Sequence, residues 1–139
     1  MTNWDFYVKE SYDIVRRAEC ELTINLAHEL EAYLVHMFAH YLDKPNVNAQ
    51  PVCIKLLEST HKTLTQRKEL LKQVGDECLL INSMEWGRSR WPSITYYSDM
   101  GQMAYINRAF IVNPPDDLYD ILALEFQTAT KILRKCRIK

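Results

Sequence analysis

With 139 residues, the chain is long enough for one domain with its own core and too short for two ordinary domains. Hydrophobic residues make up 47% and charged residues 25%, which excludes a disordered chain, and a formal charge of −1 gives no pull toward nucleic acid or an anionic membrane. Only 3 Gly and 5 Pro are present, which favours long helices over a turn-rich β-sandwich.

Location in the cell is predicted from three further features. No apolar run approaches the roughly 20 residues needed to span a bilayer, so no membrane segment is expected. The start of the chain shows no secretory signal. The four cysteines form no C-x-x-C pair, which leaves neither a zinc knuckle nor a redox motif. We therefore expect a cytoplasmic protein, with residues 1–139 as a single helical domain.

Hydrophobic periodicity predicts an all-α protein, a compact bundle of about five helices. Residues 1–24 give the weakest pattern: a short helix is predicted within residues 6–20, and residues 22–24 are expected to be extended. The clearest helix covers residues 25–42, with Asn25 as its N-cap and apolar residues recurring at helical spacing.

Two helices are predicted in the middle of the chain. A short one begins at Pro51, a residue that suits the first position of a helix, and ends near Thr60. A longer one covers residues 65–86, with Thr65 as its cap. Because Gly75 in the middle of this helix costs about 1 kcal/mol relative to alanine, we expect another helix to cross closely there.

Two more helices are predicted toward the C-terminus. One covers residues 93–112 and begins with a capping serine, and Gly101 marks a second close crossing. The Asn-Pro-Pro sequence at 113–115 ends it, and Asp116 or Asp117 begins the last helix. The basic residues near the end of that helix are interpreted as partners of its dipole, so a nucleic-acid partner is not expected.

The middle of the chain resembles a known group. Segments 75–79 and 96–105 read G-D-E-C-L and Y-Y-S-D-M-G-Q-M-A-Y. They are similar to small helical bacterial proteins of unknown function, which share G-D-x-x-L followed by Y-Y-x-x-M-G-x-x-A-Y. Segment 29–35 looks like their earlier helix, although I-N-S-M-E-W at 81–86 replaces their Gly-Phe-Phe-Pro-like segment. The resemblance covers roughly residues 25–110 and implies a helical fold and a bacterial source, with no catalytic residue to transfer.

Three of the four histidines lie on one polar strip of helix 25–42. A rotation of about 100° per residue groups Asn25, His28, Glu29, His36 and His40 on this strip. Histidines four residues apart with a carboxylate nearby are what a metal site on a helix requires. An amphipathic helix also has a polar side that binds nothing, and this is the first interpretation of the strip.

Further metal-ligand candidates come from two other segments. Glu58 and His61 have the E-x-x-H spacing of ferritin-like bundles, which need the motif twice, whereas it occurs once here. Glu125 is expected in the apolar stripe of the last helix, where a carboxylate needs an arginine, a tyrosine hydroxyl, a metal or a second protomer as partner. A structural polar network is favoured over a catalytic acid. The full metal-ligand set is His28, Glu29, His36, His40, Glu58, His61 and Glu125.

Aromatic and arginine side chains gather around the predicted loop 87–92, together with Tyr105 of the next helix. This composition is typical of an interaction hot spot or of a pocket for a planar anionic ligand, and also of a core capped by tyrosines. Asn107 is expected on the inner side of the same helix. The candidate residues are Trp86, Arg88, Arg90, Trp91, Tyr96, Tyr97 and Asn107.

These patterns lead to three functional hypotheses. The first is a non-enzymatic helical domain that acts through contacts with itself, as a homodimer, or with another protein. It is favoured because no phosphate-binding loop, nucleophile elbow or Ser/His/Asp arrangement can be read in the sequence. The alternative is a metal-binding bundle, enzymatic or sensory, whose cofactor would be a metal ion. The third is a small-ligand pocket lined by Tyr96, Tyr97 and Asn107.

Overall fold

The computed structural model describes residues 3–43, 62–84 and 94–136. These residues form six helices and no strand: α1 Asn3–Leu22, α2 His28–Asp43, α3 Leu64–Met84, α4 Ile94–Phe110, α5 Asp117–Leu124 and α6 Phe126–Cys136. They pack around one hydrophobic core, which confirms the all-α bundle. The predicted short helix 51–60 lies outside the described residues. None of the described helices is long and apolar enough to cross a membrane.

Helix α1 has 20 residues, so it is longer than the short helix that the sequence pattern predicted, and its buried side covers residues 11–19. Ser11, Val15, Ala18 and Glu19 form that side. The helix ends where Thr23 adopts a left-handed conformation with φ of 56°, and the Ile24 N–H donates to the Glu19 carbonyl oxygen at 2.9 Å. The prediction that residues 22–24 are extended is therefore wrong.

Helix α2 has the apolar face that its periodicity predicted. Leu30, Leu34 and Phe38 are among its buried residues. Asn25 is exposed and precedes the helix, whereas the Glu31 N–H donates to the Ala27 carbonyl oxygen at 2.9 Å. The helix thus begins two residues later than an asparagine cap at position 25 would place it.

Helix α3 begins with a reciprocal pair of hydrogen bonds. The Gln66 N–H donates to Thr63 Oγ1 at 3.3 Å, and the Thr63 N–H donates to Gln66 Oε1 at 3.1 Å. This is a capping box, which needs a glutamine or glutamate three residues after the cap. Thr63 meets that condition, so it caps the helix in place of the predicted Thr65.

Close packing at two glycines fits α4 into the bundle. A Cβ atom on Gly75 of α3 would lie 2.4 Å from the Tyr105 ring of α4. A Cβ atom on Gly101 of α4 would lie 2.5 Å from the Phe126 ring of α6. Both distances are below contact distance, so only glycine fits, and the predicted close approaches at both positions are confirmed.

The predicted last helix is two helices, α5 and α6. Asp116 caps α5 by accepting the Leu118 N–H at 3.1 Å, as expected after the Asn-Pro-Pro stop. Glu125 is the C-cap of α5, and its φ of −99° and ψ of 19° interrupt the helix. Because of this interruption, its side chain leaves the stripe that Leu122 and Phe126 continue and is exposed. The prediction of a buried Glu125 is wrong.

Candidate functional site

The polar strip of α2 faces away from the core, as its spacing predicted. His28, Glu29, His36 and His40 are all exposed. The Nδ1 atom of His36 lies 2.8 Å from the carbonyl oxygen of Ala32, one turn earlier. Trp4 of α1 packs beside the strip, with its ring centroid 4.6 Å from that of His40 and 6.5 Å from that of His36.

The wider set of metal-ligand candidates is not brought together in the part of the chain that the structure describes. Glu58 and His61 lie outside it, and Glu125 is exposed at the turn between α5 and α6. Within residues 3–43, 62–84 and 94–136, no three histidine, cysteine, aspartate or glutamate side chains are grouped so that they could hold a metal ion. Metal binding at His36 and His40 stays a prediction.

The predicted aromatic loop lies largely outside the described residues, including Trp86, Arg88, Arg90 and Trp91. Tyr96 is half-buried and Tyr97 is buried near the start of α4, with their rings edge to face at 5.2 Å. Burial and the nearby Cys78 raise the pKa of Tyr97, so its hydroxyl stays protonated.

Two residues assigned to that region lie elsewhere. Asn107 is exposed, because it follows Tyr105 by two residues and so points about 200° away around the helix. The prediction that it shares the inner face with Tyr96 and Tyr97 is wrong. Tyr105 is fully buried against α3 and does not belong to the loop.

A polar cluster that the sequence did not reveal lies between α2, α3 and α4. Its acceptor is Asp76 of α3, whose Oδ1 atom accepts the hydroxyl of Tyr33 at 2.6 Å and the hydroxyl of Tyr105 at 2.7 Å. The Oδ2 atom accepts Lys72 Nζ at 2.9 Å, from one turn earlier in α3. One carboxylate therefore joins three helices through three donors.

Helix α5 closes this cluster from the other side. The ring of Tyr119 lies 6.0 Å from that of Tyr33 and 6.1 Å from that of Tyr105. The Arg108 guanidinium stacks 4.4 Å above the Tyr119 ring, and its Nη2 atom is 3.9 Å from Asp116 Oδ2. This group (Tyr33, Lys72, Asp76, Tyr105 and Tyr119) is the tyrosine–aspartate cluster.

The tyrosine–aspartate cluster holds its protons firmly. Burial and the charge of Asp76 raise the pKa of both Tyr33 and Tyr105. Burial is the largest single influence on Lys72 and opposes its charge, but the charge and hydrogen bond of Asp76, together with the nearby Tyr119 and Glu69, raise the pKa of that ammonium overall. At neutral pH every donor keeps its proton and Asp76 has three donors, so the chemistry of the cluster is helix-to-helix hydrogen bonding.

The tyrosine–aspartate cluster joins segments 75–79 and 96–105 of the sequence. Gly75 makes room for the ring of Tyr105, and Asp76, the next residue, accepts its hydroxyl. The Gly-Asp pair and the final tyrosine of segment 96–105 are thus two halves of one contact. Two features of the sequence indicate such a cluster. Asp76 directly follows a glycine in the middle of a helix, and Lys72 lies four residues before Asp76. Periodicity alone does not say which tyrosines reach that aspartate.

The opposite side of α4 carries large apolar side chains in water. Met103 and Ile106 are each 47% exposed, and Phe110 is 58% exposed. Their spacing of three and four residues places them on one face of the helix, which we call the α4 stripe. Beside this stripe, Gln102 Nε2 donates to the Ala123 carbonyl oxygen of α5 at 3.2 Å.

Comparison of the chain with protein-family models, with curated proteins and with solved structures finds no match. The fold and the described surfaces therefore define the protein only as a class. It is an all-α bundle with a polar cluster inside and an apolar helix face outside.

Proposed function

We propose that this protein is a non-enzymatic interaction module that self-associates through the α4 stripe. The carrying observation is that three large apolar side chains, Met103, Ile106 and Phe110, stand about half exposed on one helix face. Apolar side chains grouped on an otherwise polar surface mark contact sites, whereas single ones are common and need no explanation. A homodimer is the form of association that we propose.

A second copy suits the α4 stripe because a two-fold axis brings the same surface of both copies together. Two straight helices pack at about 8–10 Å when apolar side chains of one fill the grooves of the other. Met103, Ile106 and Phe110 offer such side chains over about two turns of α4.

The tyrosine–aspartate cluster supports this proposal by fixing the helix that presents the stripe. Tyr105 on the inner side of α4 is tied to Asp76, and Gly101 is packed against Phe126. A helix held in this way presents its outer face with little loss of entropy on binding. We also propose that the residues in common with the bacterial group serve this packing and not a reaction.

A cytoplasmic location belongs to the same proposal. Two of the described cysteines, Cys20 and Cys136, are free thiols, as is usual in a reducing compartment. Two basic residues of the last helix make contacts within the chain: Arg134 donates to the Asn82 carbonyl oxygen, and Lys135 forms a surface ion pair with Glu21 at 3.4 Å. These contacts favour a protein partner over nucleic acid.

The test is sedimentation velocity over a range of protein concentrations. We expect the wild type to form a reversible dimer and the triple variant Met103→Ser/Ile106→Ser/Phe110→Ser to remain a monomer. The matched control is Leu64→Ser, which removes an equally exposed apolar side chain from α3 and should dimerise like the wild type. A wild type that stays monomeric at every concentration would overturn the proposal.

A metal-binding function at His36 and His40 is the second candidate. It is favoured by the contact of His36 Nδ1 with the Ala32 carbonyl oxygen, because a ligating histidine commonly donates its other N–H to such an acceptor. In that tautomer Nε2 is the free ligand nitrogen. Elemental analysis of protein purified without chelators should then find bound metal, which His36→Ala and His40→Ala remove without loss of helical signal. Unchanged metal content in these variants would rule this site out.

A further inference from the structure

Glu19 is a buried carboxyl in the last turn of α1. It is only 8% exposed, and its Oε1 atom has no hydrogen-bond partner among the described residues. It lies on the buried side of the helix with Val15 and Ala18. Its own carbonyl oxygen accepts the Ile24 N–H in the turn that ends α1. A negative charge here would face both burial and the negative end of the helix dipole.

The nearest side chain from α2 is another carboxyl. Glu31 is close enough that its hydrogen-bonding capacity and its charge raise the pKa of Glu19, and two carboxyl groups can share a hydrogen bond only when one of them carries a proton. Arg16 lies 3.7 Å from Glu31, but its side chain is 63% exposed, so water screens its charge. The Leu26 N–H also donates to Glu19. Arg16, whose charge is screened by water, is therefore the cation shared by the two carboxyl groups of Glu19 and Glu31.

Within the part of the chain that the structure describes, the other side chains near Glu19 bring no further positive charge to it. Cys136 of α6 contacts the same region, and burial and the charge of Glu19 raise the pKa of its thiol to about 12, so it is neutral. Lys135, also of α6, is paired with Glu21 at 3.4 Å. The Leu26 N–H and the screened Arg16 favour the charged form of Glu19, but burial and Glu31 outweigh them, so the balance favours a proton on Glu19.

We propose that Glu19 and Glu31 share one proton and form a pH-sensitive contact that holds α1 against α2. When the proton is bound, the two side chains make a hydrogen bond across the helix interface. When it is lost, two carboxylates face each other at a buried position and weaken the packing of α1. This contact lies on α1 and α2, so it is independent of the α4 stripe.

The direction of the pH effect follows from the titration of Glu19. Burial first, and then the hydrogen bond and charge of Glu31, raise the pKa of Glu19 from 4.5 to about 7. A carboxyl with a raised pKa binds its proton more tightly in the folded state than in the unfolded state. Its contribution to stability is complete below pH 4.5 and is lost as the pH rises through about 7.

The first measurement is an NMR titration of wild-type protein with ¹³C-labelled glutamate side chains. We expect one glutamate carboxyl to titrate near pH 7 and to be assigned to Glu19. In Glu31→Gln, the same midpoint should move to lower pH because the negative neighbour is gone. A Glu19 midpoint near 4.5 in the wild type, or no change in Glu31→Gln, would overturn the proposal.

The second measurement compares urea unfolding of the wild type and Glu19→Gln, since glutamine keeps the shape of the neutral acid. Relative to this variant, the unfolding equilibrium constant of the wild type should increase on the order of 100-fold between about pH 5 and about pH 8. Glu21→Gln, at an exposed position two residues later, should follow the wild type. If the stability of the wild type and of Glu19→Gln depends on pH in the same way, the proposal is contradicted. If Glu19→Gln does not fold, the NMR titration of the wild type and of Glu31→Gln decides the question.

Discussion

The two faces of α4 differ in how closely their side chains fit against neighbouring residues. The inner face fits its neighbours closely: Gly101 admits Phe126, and Tyr105 lies on Gly75 with its hydroxyl bound to Asp76. The outer face carries side chains that are as apolar but have no comparable cover. The difference teaches that hydrophobicity alone does not distinguish a core face from an exposed face. Fitted shapes and satisfied hydrogen bonds do.

Substitutions on the two faces should therefore have different consequences. Changes to the inner face remove contacts on which folding depends. Changes to the outer face remove contacts that the monomer does not make, so they should alter association and leave the fold intact.

The largest effect is expected at Asp76. In Asp76→Ala, two tyrosine hydroxyls and Lys72 lose their shared acceptor, and we expect a loss of about 3 kcal/mol in the free energy of unfolding. Urea denaturation followed by circular dichroism measures it. Asp99→Ala, at an exposed position of α4, is the control and should change stability by less than about 0.5 kcal/mol. Equal effects of the two variants would show that the tyrosine–aspartate cluster contributes little.

A smaller loss is expected at Gly101. Alanine is the better helix former by about 1 kcal/mol, so helix propensity alone predicts that Gly101→Ala is stabilising. The added Cβ atom would lie 2.5 Å from the Phe126 ring and 2.9 Å from Cys78 Cβ. Overpacking of this kind costs about 1–3 kcal/mol, so we expect net destabilisation in thermal or urea unfolding. A stabilised Gly101→Ala would contradict the close fit of α4.

The smallest effect on folding is expected for the α4 stripe. Ile106→Ser should change the free energy of unfolding of the monomer by no more than about 0.5 kcal/mol, because its side chain is already half in water. The same substitution should weaken dimerisation when it is measured by sedimentation. A destabilised monomer would indicate that Ile106 supports the bundle itself.

Features that depend on residues close in sequence could be predicted. The close approaches at Gly75 and Gly101 followed from the cost of glycine within a helix, and the Asn-Pro-Pro stop followed from backbone chemistry. The cap of α3 was misplaced because Thr63 and Thr65 are equally good acceptors. Only the glutamine three residues after Thr63 distinguishes them.

Features that depend on how helices meet could not be predicted. Glu125 looked buried because periodicity was continued through a residue where the helix is interrupted. The tyrosine–aspartate cluster was missed because Tyr33, Asp76 and Tyr105 lie on three different helices. Periodicity assigns faces to each helix, but it does not say which faces meet or which remain in water.

The most direct test of self-association through the α4 stripe is a distance between two copies. A spin label would be placed by Asn107→Cys, at an exposed position next to Ile106, with Cys20 and Cys53 replaced by serine. Because packed helices lie about 8–10 Å apart, a dimer formed through α4 should give a strong dipolar coupling between the labels, which disappears when Met103 and Phe110 are also changed to serine. A dimer without dipolar coupling at this position, or no dimer at all, would contradict the proposed function.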